Sequence, residues 1–131
     1  MEVFFSNSKL QKTCNSAKKL RGEYGPRMAE LIQQRLAELA DAATLDEMRT
    51  IPGARCHELT QNLKGLLAVD LVHPKRLAFR PADSPQPRKP EGGLDWSRVT
   101  RIEVAGIGES HSCFSIRASI EVSVRRFLQA A

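Results

Sequence analysis

The sequence is poor in cysteine and in aromatic residues, and it has no long apolar run. Cys14, Cys56 and Cys113 lie far apart, are odd in number and include no Cys-x-x-Cys pair. This argues against a disulfide framework or a zinc knuckle and favours a reducing, cytoplasmic setting. Aromatics make up 5% of the chain, too few for a base-stacking platform of the kind used on single-stranded RNA. No apolar run approaches the roughly 20 residues of a membrane span, so no membrane partner is expected. Residues 1–6, Met-Glu-Val-Phe-Phe-Ser, lack the basic start and long apolar centre of a signal peptide. His57, His73 and His111 lack the spacing of a local metal motif, so no metal is expected.

What remains is a basic chain of ordinary globular composition. It has 131 residues, is 41% hydrophobic and carries a formal charge of +5. That length suits one domain with a core that needs no staples. The charge favours an anionic partner: RNA, the ribosome or an acidic protein.

Hydrophobic periodicity orders the chain. Residues 2–5 read as a strand. Ser6 or Ser8 then caps a helix running to about Arg21, with Leu10, Cys14, Ala17 and Leu20 on its apolar stripe and Lys9, Lys12, Lys18 and Lys19 outside. Gly22 and Gly25 end it, and Pro26 suits the first turn of a second helix. That helix shows Met28, Leu31, Ile32, Leu36 and Leu39 on one face, and the short link makes the two an antiparallel hairpin. Thr44-Leu-Asp-Glu47 is a capping box starting a short helical turn.

Strands follow. Residues 55–60, Arg-Cys-His-Glu-Leu-Thr, read as the first. After a turn at 62–65, Leu67, Val69 and Leu71 alternate as a half-buried strand does. His73-Pro74 interrupts the pattern, and Leu77 and Phe79 form the inward face of the next strand. Residues 81–90 hold four prolines, followed by Gly92-Gly93, which marks an exposed loop pinned at its end by Trp96. Residues 99–107 read as the last strand of the sheet. In the tail, alternation of Phe114, Ile116, Ala118, Ile120, Val122 and Val124 argues strand, while Ile116, Ile120, Val124 and Phe127 also fit a helical face. The β-branched content favours strand.

The order strand, two helices, antiparallel sheet, together with several strings, resembles the RelE/ParE toxin superfamily in its HigB-like plasmid-maintenance killer branch. The matching strings are Phe5-Ser-Asn-Ser-Lys-Leu10, Tyr24-Gly-Pro26, Pro52-Gly-Ala-Arg-Cys-His-Glu-Leu59, Lys64-Gly65, Val69-Asp-Leu71, Arg76-Leu77, Asp95-Trp-Ser-Arg-Val-Thr100 and Glu109 to His111. The resemblance covers about residues 1–111, which implies a RelE-like α+β toxin domain, with residues 112–131 as an unusual C-terminal extension. It implies a type II toxin: a ribosome-dependent mRNA endonuclease that works without metal or cofactor and is held inactive by a HigA-like helix-turn-helix antitoxin. Operator DNA would be met only through that antitoxin. The implied chemistry is attack of a ribose 2′-OH on the adjacent phosphate, which needs a base, an acid and cations for the developing charge.

Carried over by position, the resemblance implies catalytic roles for His57, Arg76, Glu109 and His111. Histidine titrates near neutrality and arginine forks onto phosphate. Lys64, Lys75 and Arg80 are candidates for RNA phosphate contact, within a basic run that includes Arg88 and Lys89. Two positions differ: the family's tyrosine before the closing histidine is Ser110, and its lysine after the His-x-Leu string is Thr60. Relatives end near the closing histidine, whereas this chain continues for 20 residues past His111.

Plainer readings stand beside these. His57 on a strand has a structural reading, His73 before Pro74 a surface one, and His111 that of a loop histidine. Arg76 reads equally as an exposed strand cation, and Cys56 as a small buried hydrophobe. Two other functions remain open: a catalytically weakened antitoxin-binding module or co-repressor, and a ParE-type gyrase inhibitor, because one fold hosts several activities.

Overall fold

The computed structural model describes residues 1–59, 65–83, 86–108 and the backbone of 125–126. The class is α+β. The chain runs β1 (Glu2–Phe5), α1 (Ser8–Cys14), α2 (Ala17–Tyr24), α3 (Pro26–Asp41), a 3₁₀ turn (Leu45–Thr50), β2 (His57–Glu58), β3 (Leu67–Asp70), β4 (Arg76–Pro81), a second 3₁₀ turn (Trp96–Arg98), β5 (Arg101–Gly108) and β6 (Arg125–Arg126). The strands form one sheet in the order β2-β3-β4-β5-β1-β6.

Four expectations need correction, and the first two concern the sheet and the first helix. The sheet is mixed, not antiparallel: β1 runs parallel to β5, with Val3 beside Ile102 and Phe5 beside Val104. Parallel pairing needs a long crossover, and the helices, β2, β3 and β4 together supply it. The first helix is two helices. Asn7, not a serine, caps α1 by accepting from Leu10 N–H at 2.8 Å. The chain then leaves the helix at Asn15, and Ser16 caps α2 through a 3.2 Å bond from Lys19 N–H. Short polar side chains at Asn15 and Ser16 offer the backbone a local alternative to the helical ladder, which stripe analysis alone overlooks.

Gly25, at φ +88, makes the turn into α3, where Pro26 occupies the expected first position. The buried face of α3 is Met28, Ala29, Ile32, Arg35, Leu36 and Leu39. It packs with Leu20 onto the inward row of the sheet: Val3, Phe5, Leu67, Val69, Leu77, Phe79, Ile102 and Val104. The expected capping box forms, with Thr44 and Glu47 bonding reciprocally.

Of the described part of the strand expected over 55–60, His57–Glu58 is strand; Arg55 adopts φ +48, which is not a strand conformation, so β2 starts after it. Nor is β3 half-buried. Ala68 between Leu67 and Val69 is also fully buried, and Leu66, Ala78 and Ala105 form a second apolar cluster with Leu59 against it. A register shift between Ala78 and Phe79 accommodates one extra residue of β5. Trp96 is 5% exposed. It lies under the Arg49 guanidinium, 4.0 Å from the ring centroid, and donates its Nε1–H to Glu58 at 3.1 Å. The expected anchoring of the proline loop by Trp96 agrees with this burial. The alternating tail segment, 113–124, lies outside the described residues; β6 follows it and pairs antiparallel with β1. Among the described residues no helix is long and apolar enough to cross a membrane.

Arg35 is the one cation on the buried face of α3, at 5% exposure. Its Nε donates to the Asp70 carbonyl at 2.8 Å and its Nη1 to Glu38 at 2.9 Å. Arg35→Met keeps the length but orphans both acceptors. We expect a loss of roughly 3 kcal/mol in urea unfolding followed by Trp96 fluorescence, with little recovery in Arg35→Lys, whose single ammonium cannot reproduce the planar fork.

Candidate functional site

The register of β2, β3 and β4 brings His57, Asp70 and Arg76 to one face of the sheet. His57 lies across from Ala68, Asp70 is two residues further along β3, and Arg76 lies across from Asp70. Side chains opposite one another or two apart share a face. Arg55 joins them from the turn before β2.

Asp70 is the hub. Its Oδ2 lies 3.4 Å from Arg55 Nη1 and its Oδ1 4.0 Å from Arg76 Nε. Its carbonyl accepts from Arg35, and its N–H donates to the Ala54 carbonyl at 2.7 Å. Three arginines thus converge on one residue, one from the core and two from the surface. The two outer side chains are 79% and 44% exposed for Arg55 and Arg76. Exposed pairs of this kind are worth about 1 kcal/mol at most, so an arriving phosphate can compete for both guanidinium groups.

The turn that delivers Arg55 is conformationally specific. Gly53 has φ +81 and Arg55 φ +48, the latter costing a residue with a Cβ about 1–2 kcal/mol. This geometry aims the Arg55 carbonyl at His57 Nδ1, 2.7 Å away. A carbonyl can only accept, so the contact is a hydrogen bond when Nδ1 carries the proton. In the neutral ring that leaves Nε2 as the basic lone pair. The neighbouring thiol does not compete as a nucleophile: burial pushes Cys56 up to about 12, with Arg49 opposing and Glu58 adding. Burial, with Glu23 adding, also takes Cys14 to about 12.

The remaining candidates divide. Lys75 is exposed in the β3–β4 turn, directly before Arg76. Arg80 is committed to an ion pair: its Nε lies 3.5 Å from Glu103 Oε1, with side chains 23% and 5% exposed. Burial pushes the Glu103 carboxyl up and Arg80 opposes that shift, so Arg80 compensates a buried charge. His73 is exposed in the turn. Lys64, Glu109 and His111, with Thr60 and Ser110, lie outside the described residues. The described part of β5 ends at Gly108, which is the register partner of Arg76. Among the described residues no cluster of three or more His, Cys, Asp or Glu is placed to hold a metal ion.

Sequence reasoning assigned no role to Arg35, Arg55 or Asp70. The signal for Arg35 was its place seven residues after Met28 and three after Ile32, on the apolar face. Asp70 was visible only as an acid within a strand, and the left-handed turn at Arg55 leaves no compositional mark beyond Gly53. Comparison with known protein families, with curated proteins and with solved structures finds no match to this chain.

Two expected outcomes follow from these contacts. Arg80→Ala strands the Glu103 carboxylate and costs roughly 3 kcal/mol at neutral pH. A buried carboxyl with a raised pKa contributes stability at low pH that is lost as pH rises through the folded-state value. The cost of Arg80→Ala therefore shrinks on acidification, and adding Glu103→Gln recovers most of it, as urea unfolding at acidic and neutral pH will show. Arg55→Gly relieves the left-handed strain and leaves stability unchanged or raised by up to about 1 kcal/mol. Arg55→Ala, which keeps a Cβ, shows no such relief.

Proposed function

We propose that the protein is a toxin of the RelE/ParE superfamily, HigB-like, that cleaves mRNA on the ribosome. The observation that carries this reading is the shared sheet face of His57 and Arg76, with Arg55 beside them. On that face an imidazole whose Nδ1 meets the Arg55 carbonyl and the exposed Arg76 guanidinium lie on β2 and β4, either side of Asp70 on β3. His57 takes the proton from the 2′-OH, Arg76 and Arg55 hold the phosphate as negative charge develops, and protonation of the leaving 5′ oxygen falls to His111, with Glu109 orienting its neighbour. These last two roles rest on the resemblance alone. The net charge of +5 suits an rRNA-lined working place and an acidic or amphipathic segment of a helix-turn-helix antitoxin.

A second reading, an antitoxin-binding module with weakened cleavage, is favoured by the acids on this face. Asp70 faces Arg55 and Arg76, and Glu103 holds Arg80, while Ser110 and Thr60 stand where the family has tyrosine and lysine.

The two separate on programmed ribosomes. Purified protein should cut mRNA during translation, spare naked RNA and be indifferent to chelator. His57→Ala should lower the rate by about 100-fold or more, with Arg76→Ala also impaired and both still folded by Trp96 fluorescence. Absence of cleavage by a folded wild-type protein that binds a helix-turn-helix partner selects the module. Efficient cutting of free RNA rejects the ribosome-dependent mechanism.

A further inference from the structure

A groove of about 520 Å³ opens between the α2–α3 turn and the β3–β4 turn, beside the Arg76 end of the sheet. Tyr24 and Met28 supply apolar wall, and Arg27 and Lys75 bring cations against a single acid, Glu23, with the His73 imidazole between the walls as a further polar group. Glu23 and Tyr24 also line a smaller hollow of about 270 Å³ shared with α1 and β5, so the ring of the chain's one tyrosine stands where two hollows meet. Tyr24 is half-buried against the core and Met28 is nearly closed off, which gives the groove an apolar side continuous with the core. Burial, with Glu23 and Cys14 adding, pushes the Tyr24 phenol up, so it stays neutral and does not repel an anion.

A flat apolar wall beside a cationic rim selects a ligand with a flat ring and an anionic group. The volume fits one such unit, within the usual range for small-ligand sites. One aromatic ring seats one base and not a run of them, which agrees with the scarcity of aromatics in the chain. Lys75 directly precedes β4, so the groove opens at the end of that strand which begins with Arg76.

We infer that this groove binds a single nucleotide unit, its base against Tyr24 and its phosphate towards Arg27 and Lys75, at the end of the sheet where β4 begins. The assignment of that unit to an RNA strand rests on the proposed function; the match of the groove to a nucleotide does not. The test uses the full chain with three probes: 5′-AMP, inorganic phosphate and a 2′-O-methyl RNA trinucleotide, which cannot be cut by 2′-OH attack. Binding is then read independently of cleavage, and an inactive protein that still binds leaves the groove standing.

AMP should bind more tightly than inorganic phosphate. Tyr24→Leu should weaken AMP and the trinucleotide at least about 5-fold, while Tyr24→Phe retains binding and inorganic phosphate is unaffected. Arg76→Ala should weaken the trinucleotide and spare AMP. If Tyr24→Leu does not fold, the Met28 methyl resonance of the wild type decides: it should shift on titration with AMP and not with phosphate. AMP binding no tighter than phosphate, full affinity in folded Tyr24→Leu, or an unmoved Met28 methyl overturns the nucleotide site. A trinucleotide bound no more tightly than AMP overturns its assignment to a strand.

Discussion

The placement of the candidate site depends on the buried guanidinium of Arg35. A cation at a core position of α3 needs every donor engaged, and its partners here come from two layers: Glu38 on its own helix and the Asp70 carbonyl at the end of β3. The helix is thereby tied to the sheet at one point, not merely packed on it. The same guanidinium crowds the turn before β2, because a Cβ built at Gly53 would meet Arg35 Nη2 at 3.3 Å. Gly53 serves that turn twice, through its positive φ and through its lack of a side chain. The turn in turn sets Arg55, and the Arg55 carbonyl sets the histidine tautomer. A chain of short contacts runs from the core of α3 to His57.

This arrangement changes how the net positive charge should be understood. A basic chain invites a picture of an open cationic surface, yet the cations nearest the sheet face have acidic partners. Asp70 faces Arg55 and Arg76, and Glu103 faces Arg80. The two sets differ by burial. Glu103 is enclosed, so Arg80 is held by the cost of leaving a buried carboxylate alone. Asp70 is partly open to water, so its pairs are weak and exchangeable. An anion reaching this face has cause to engage Arg55 and Arg76 and to leave Arg80 in place, which makes burial of the acid, more than the identity of the base, the discriminating quantity.

Periodicity made much of the architecture legible. The α3 stripe, Pro26 at its start, the Thr44 capping box, the inward Leu77 and Phe79, and the burial of Trp96 all follow from local rules with one dominant physical cause each. The parallel β1–β5 pair was not legible, because strand direction is decided by how the chain returns after a hundred residues and not by either strand's own pattern. The break between α1 and α2 was misread because Asn15 and Ser16 compete with the helix without disturbing its apolar stripe. Within the site, His57 and Arg76 were chosen by resemblance, and register then showed that they share a face. Asp70 was missed because its importance is relational. It is an ordinary acid until β4 brings Arg76 opposite it and α3 brings Arg35 beneath it.

The same end of the sheet gathers three backbone features that do not belong to regular elements: the Gly25 turn into α3, the Gly53–Arg55 turn and the β3–β4 turn. Loops tolerate special backbone geometry and exchange of side chains better than packed strands do, while the strands beneath them stay rigid. Here the rigid part is unusually well closed, since β3 is buried on both faces at Ala68 and small residues, Ala78 and Ala105, fill the second face. On that face Ala68 and Ala78 lie towards the end where β4 begins, while Arg80 and Glu103 pair further along β4 and β5. His57, Asp70 and Arg76 stand at the end of that face where β2 begins, β3 ends and β4 begins. Among the described residues, that end of the sheet is where exposed guanidinium groups and an imidazole share a face and where turns from both layers converge.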